Sequence, residues 1–252
     1  SLQGTKNIVE MLHRQGRMHP SICEFVNRNY YNGGLDAVPL PHQQEPLAFG
    51  TRPDDDRWTA FVAGTRMAFI SVQADEAEYY TKIESKQEQT KLAQGLPNVG
   101  DSSKSNKREA ETVARLIHTL CQLYSRSGIP FSPCKQIGII VPFRAQIAMI
   151  RKALAERHIP DTADITIDTV ERYQGSQRDI IIFSTTVSRP YQLSILSEPV
   201  MTDGREIDRK LNVALTRARK QFFMTGNETL LRNCTAYRKF LDFLSKEQIL
   251  RL

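Results

Sequence analysis

The sequence predicts an α/β fold built on a mainly parallel sheet with helices on both faces. Three features carry that expectation. Short apolar runs rich in branched residues, such as Ile137–Val141 and residues 179–186, read as strands buried on both sides, because a strand with one wet face would alternate. Between such runs, apolar residues recur at i, i+3, i+4 and i+7, the spacing of one helix face. The two kinds of segment then alternate along the chain, as when helices cross over between parallel strands.

In chain order, Ile8, Met11 and Leu12 suggest a short helical turn. After Pro20, the residues Ile22, Phe25, Val26, Asn29 and Tyr30 follow helical spacing, and Asn32-Gly33-Gly34 stops the helix. Residues 39–53 are rich in Pro and polar side chains and read as loop. Residues 67–72 form a buried strand. Residues 73–108 have little apolar content and read as an exposed insertion. Val113, Leu116, Ile117, Leu120 and Tyr124 mark an amphipathic helix over 109–125. A strand at Ile137–Val141 is followed by a helix through Ile147, Ile150 and Leu154, then by strands at 165–167 and 179–186. Residues 211–219 are helical, 222–225 a strand, and Tyr237, Phe240, Leu241 and Leu244 belong to a last helix. This divides one structural domain into an entry segment (1–35), a partly irregular insertion with one strand (36–108) and a core (109–252).

Composition narrows the class. The 252 residues are 40% hydrophobic and 25% charged, which excludes a mostly disordered chain, a collagen and a disulfide-stapled miniprotein. The longest apolar runs fall far below the roughly 18 residues needed to span a membrane. Four cysteines, none in a C-x-x-C pair, suit a reducing cytoplasm rather than a zinc or thiol-redox site. Residues 1–5 show no signal-peptide pattern, and the chain begins without Met, as expected of a piece cut from a longer protein. The net charge of +6 permits a nucleic-acid partner without requiring one.

Four segments stand out: Gln15-Gly16-Arg17-Met18-His19-Pro20, residues 137–146, residues 169–179 (Thr-Val-Glu-Arg-Tyr-Gln-Gly-Ser-Gln-Arg-Asp), and residues 211–219 (Leu-Asn-Val-Ala-Leu-Thr-Arg-Ala-Arg). In this order, over residues 12–226, they resemble the second RecA-like domain of superfamily 1 helicases, in the branch of the Upf-type RNA decay helicases and the replication helicase–nucleases. The resemblance implies a RecA-like (P-loop NTPase-type) fold. It implies ATP with Mg²⁺, bound mainly by a first RecA-like domain, and single-stranded DNA or RNA running across both domains. The loop G-x-x-x-x-G-K-[S/T] of that first domain is absent from this sequence, and Asp54-Asp55-Asp56 reads as a solvated acid run rather than a magnesium site. The expected function is therefore the C-terminal half of an ATP-dependent helicase or translocase. Its partners would be its own N-terminal RecA-like domain and a single strand, with no membrane and no metal site of its own. The other reading is a non-enzymatic nucleic-acid-binding or partner-docking module derived from such a motor.

Carried over residue by residue, the resemblance assigns Arg217 and Arg17 to the γ-phosphate, where a planar, always-charged guanidinium neutralises developing charge. From composition alone, Arg217 would merely decorate a basic helix with Arg209, Lys210, Arg219 and Lys220. Gly16 stands where the family has an aromatic, and His19 reads as a capping or packing residue. Thr169, Gln174 and Arg144 are the nucleic-acid candidates, with Thr169 beside free backbone N–H groups that bind phosphate without reading the base. Gly175 and Gln177 are the nucleotide-side candidates, and Gln177 replaces the family's usual Glu. Ser105 reads as a helix cap, with Glu109 in the first turn. Finally, Arg17 and Arg217 are expected to converge near the carboxyl ends of the strands, on one face, exposed or paired with an acid, with Gln177 bordering them.

Overall fold

The computed structural model describes residues 13–72, 104–173, 176–202 and 204–252. The expected turn around Ile8, Met11 and Leu12, most of the 73–108 insertion, and both Gln174 and Gly175 lie outside these residues.

Among the described residues, β1 (Arg14–Gln15) and β2 (Asp36–Ala37) form a short parallel pair. The main sheet comprises β3 (Met67–Ser71), β4 (Ile137–Val141), β5 (Thr166–Thr169), β6 (Arg178–Ser184), β9 (Ala218–Gly226) and β10 (Ile249–Arg251). Between β6 and β9, β7 (Pro199–Thr202) and β8 (Arg205–Asp208) make an antiparallel hairpin. The spatial order of the main sheet is β10-β3-β9-β6-β4-β5, and every neighbouring pair is parallel. The longer helices are α1 (Pro20–Tyr30), α2 (Arg57–Gly64), α3 (Lys107–Arg126), α4 (Arg144–Glu156), α5 (Arg209–Thr216) and α6 (Thr235–Phe243). The chain has the α/β, RecA-like architecture that the sequence predicts.

The pleat explains the unbroken apolar runs. Ile137, Ile139, Val141, Ile180 and Ile182 point to the face covered by α2, α3 and α4, where they meet Trp58, Leu116, Leu120 and Ile150. Ile140, Ile181 and Phe183 point the other way, toward Ile22 and Phe25 of α1, Leu211 and Leu215 of α5, and Tyr237 and Phe240 of α6. Both clusters are dry, so alternation of polar and apolar residues has no place in these strands. Gly138 on β4 is required by packing: a Cβ there would lie 1.8 Å from the hydroxyl oxygen of Tyr173.

Helix ends follow local chemistry. Pro20 opens α1, His19 accepts a bond from the Ser21 N–H at 3.2 Å, and Asn32 and Gly33 beyond its end take positive φ. Asp208 caps α5 by accepting from the Leu211 N–H at 2.7 Å, which locks the β7–β8 hairpin to the helix start. Three expectations need correction here. The cap of α3 is Asn106, not Ser105, and the helix already includes residues 107 and 108. The helix expected over 211–219 stops at Thr216, because Ala218 already pairs with Arg178 across β9 and β6, and sheet pairing overrides the helix propensity of Ala and Arg. The acid run is not simply solvated: Asp55 takes a bidentate ion pair from Arg126, and Asp56 caps α2 by accepting from the Thr59 N–H at 2.6 Å.

Candidate functional site

Strand direction defines two edges of the sheet, and the candidate residues divide between them. Arg217 immediately precedes β9 and Gln177 immediately precedes β6, so both lie at the amino edge. Arg17 joins them from the turn before α1, which the His19 N–H ties to the Arg219 carbonyl of β9 at 2.9 Å. The expected convergence at the carboxyl ends is thus corrected. It followed from the rule that ligands of open α/β sheets gather at the carboxyl ends of the strands, whereas Arg217 sits where the chain enters β9.

The turn carrying Arg17 is held from inside. Gln15, buried, accepts from the Arg17 N–H at 2.9 Å and the Met18 N–H at 2.7 Å, and donates to the Met18 carbonyl at 2.9 Å. Gln43 donates to the Met18 carbonyl at 2.8 Å, and His42 bonds the Arg17 carbonyl at 3.0 Å. A Cβ on Gly16 would meet the Leu40 side chain at 3.0 Å, so Leu40 takes space that an aromatic would need. His19 has its protonation pushed down to about 4 by burial and by the charges of Arg66 and His42, so it serves the cap as a neutral ring.

On this turn, Arg17 Nε donates to Gln177 Oε1 at 3.0 Å and a terminal nitrogen donates to the Thr216 carbonyl at 3.0 Å. Arg217 reaches the Ser176 carbonyl at 3.5 Å, and its Nε is buried with no partner. Burial and the charge of Arg17 together lower the proton affinity of Arg217, so the two guanidinium groups are electrostatic neighbours. Both arginines are half-buried and held by carbonyl oxygens, which corrects the expectation of exposed or acid-paired side chains. Among the described residues neither meets a carboxylate. Two neighbouring cations do: Arg219 pairs with Asp179 at 3.2 Å and Lys220 with Glu45 at 2.8 Å. These two neighbours are neutralised, whereas Arg17 and Arg217 remain a pair of like charges.

Thr169 and Arg144 lie at the opposite, carboxyl edge. Thr169 ends β5 and is 9% exposed, while Arg144 opens α4 beyond β4 and is exposed. The Thr169 N–H is not free as expected: it donates to Asp168 Oδ1 at 2.8 Å. From Thr169 the chain returns to the amino edge at Arg178, and on the way Tyr173 packs over Gly138 of β4. One segment thus joins both edges.

The sequence reading missed Glu109. It is fully buried at the carboxyl edge, where its Oε2 accepts from the Ser184 hydroxyl at 2.8 Å, the Thr225 hydroxyl at 3.0 Å and the Thr186 N–H at 3.1 Å. Burial, only partly offset by these donors, pushes the carboxyl up to about 7. Gln146, also fully buried, donates to the Asn106 carbonyl at 3.0 Å and the Ser184 hydroxyl at 3.3 Å, linking the first turn of α4 to the same cluster. The available signal was Ser184-Thr185-Thr186 closing an otherwise apolar strand, since hydroxyls that deep need an acceptor.

No three His, Cys, Asp or Glu side chains gather to hold a metal among the described residues, and no helix among them is long and apolar enough to cross a membrane.

Comparison with known proteins identifies the family. A family model described as an AAA domain (AAA_12) matches residues 1–229. DNA polymerase alpha-associated DNA helicase A of Saccharomyces cerevisiae is 29% identical over 91% of this chain and 29% of its own length. The DNA replication ATP-dependent helicase/nuclease DNA2 of Bos taurus is 26% identical over 99% of this chain and 22% of its own. The Regulator of nonsense transcripts 1 homolog of Arabidopsis thaliana is 28% identical over 86% of this chain and 14% of its own. The chain thus spans less than a third of each of these relatives. By the extent of the family match and the RecA-like sheet, the chain belongs to the AAA domain family (AAA_12), within the Upf-like superfamily 1 helicases.

Proposed function

We propose that this chain is the second motor domain of an ATP-dependent nucleic-acid helicase or translocase. In this reading a preceding RecA-like domain carries ATP and Mg²⁺, and Arg17 and Arg217 reach the γ-phosphate across the interface, with Gln177 and Gly175 beside the nucleotide. The observation that carries it is the pair of half-buried guanidinium groups with no carboxylate partner among the described residues, one of them with an orphaned Nε. Two neighbouring like charges are stabilised by an anion, and the planar forks of arginine match phosphate oxygens. ATP, when bound, supplies the phosphoryl group for transfer to water. The chain's own residues neutralise and position: Gln177 and the Thr216 carbonyl aim Arg17, and the entry into β9 fixes Arg217.

A single strand of DNA or RNA runs along the carboxyl edge in this reading, with Thr169 and Arg144 contacting its phosphates without reading bases; Gln174, outside the described residues, is assigned to the strand by the resemblance alone. The four free thiols support an intracellular setting. The test is hydrolysis in the intact protein. Arg217→Ala lowers the single-strand-stimulated ATPase rate by about 10³-fold or more while nucleotide binding persists. An unchanged rate overturns the assignment.

A further inference from the structure

The carboxyl edge holds a second feature that the family match does not explain. Lys210, in the first turn of α5, keeps its side chain 19% exposed and donates to the Ile195 carbonyl at 2.8 Å, which fixes the ammonium in place. Its other contact is the Glu171 carboxylate at 3.2 Å. Glu171 follows Thr169 by two residues, which brings the Thr169 hydroxyl and the Glu171 N–H close enough to its carboxylate to favour the charged form. Burial pushes this carboxyl up, but these donors and Lys210 outweigh it and hold it below its ordinary value. A buried hydroxyl and a half-buried ammonium thus face one anion, whereas the side chain supplying that anion is 62% exposed.

That asymmetry is what a binding subsite with a removable occupant requires. The donors are fixed by β5 and by α5, and the acceptor sits on a solvent-facing side chain that can turn into water at little expense, because exposed ion pairs are weak. Carboxylate and phosphodiester oxygens accept from the same donors. Resting on the reading that the Thr169 edge receives the single strand, we propose that Thr169 and Lys210 form one phosphodiester subsite and that Glu171 is its internal occupant until the strand displaces it. Lys210 is then a nucleic-acid contact, and Glu171 sets the threshold that an incoming backbone must exceed.

The test is equilibrium binding of a labelled oligothymidylate to this chain over a series of salt concentrations. Glu171→Gln, which keeps the side-chain volume and removes the charge, tightens binding about threefold to tenfold. It also steepens the salt dependence by about one counterion, because Lys210 becomes available to a phosphate. In a Lys210→Gln background the gain disappears. Glu156→Gln, which neutralises a carboxylate of similar exposure at the far end of α4, gives no comparable gain. A gain of equal size with and without Lys210, or from Glu156→Gln, reduces the effect to general charge and overturns the proposal. If Glu171→Gln binds like the parent while Thr169→Ala weakens binding, the edge still receives the strand and only the occupant role falls. If Thr169→Ala binds like the parent, the strand-binding reading itself falls. Inorganic phosphate at matched ionic strength is expected not to displace the oligonucleotide, and displacement would assign the subsite to a free anion.

Discussion

Replacing Glu109 with glutamine converts a pH-dependent stability into a flat one. The carboxyl is fully buried, and in the folded chain it titrates at about 7, against 4.5 when free. Between those values the folded state holds a proton that the unfolded state has released. Stability therefore falls as pH rises through this window, with a slope approaching about 1.4 kcal/mol per pH unit, and levels off above about 7. The accumulated difference is about 3 kcal/mol. Glutamine presents the same acceptor oxygen to Ser184, Thr225 and Thr186 and does not titrate. The variant should match the parent near pH 5 and exceed it by about 2–3 kcal/mol near pH 8. Urea unfolding of both proteins across that range measures it, and taking the difference between them cancels every other titrating group. A difference that does not change with pH, or that grows toward acid, would refute the reasoning.

Other outcomes follow from the same structure. Glu109→Ala strands three donors in a buried site and should destabilise by about 3 kcal/mol or more near pH 5, with the loss relative to the parent shrinking toward pH 8 as the parent's own carboxyl ionises, read by the same unfolding assay. Gly138→Ala drives a methyl into the Tyr173 hydroxyl and should cost about 2–4 kcal/mol. Tyr173→Phe should be close to neutral, because that hydroxyl is buried without a partner, and in combination it should recover part of the Gly138→Ala loss, which a double-mutant cycle measures. The chain by itself should show no motor-like ATP hydrolysis, since its sequence lacks a G-x-x-x-x-G-K-[S/T] loop, and a steady-state phosphate-release assay with and without single strand checks this.

The sheet was legible because burial on both faces leaves its mark directly in Ile137–Val141 and in the core of β6. The β7–β8 hairpin was not, because its residues are mostly exposed and polar and carry no buried face to set a period. The residues of the amino-edge site were legible through their resemblance to a known pattern, but not their edge. Leu-Asn-Val-Ala-Leu-Thr-Arg-Ala-Arg is a good helix locally, and only pairing with β6 shows that its last two residues are strand. Glu109 was hidden for a different reason. Near the start of a helix, a glutamate is ordinarily explained by the helix dipole alone, and its burial depends on the distant residues Ser184 and Thr225.

Strand β9 has Arg217 at one end and, at the other, the Thr225 that holds Glu109. Nine residues of extended chain make a strut about 30 Å long, flanked on both sides by parallel neighbours along most of its length. Its one irregularity against β6 is a register shift beside the arginine end, where Arg178 pairs with Ala218 but Ile180 with Gln221. From Gln221 to Thr225 the pairing is unbroken, so a push that passes the shift reaches the far edge as displacement of the whole body. Any give along this strand therefore sits next to Arg217, and the stretch leading to Glu109 moves as one piece.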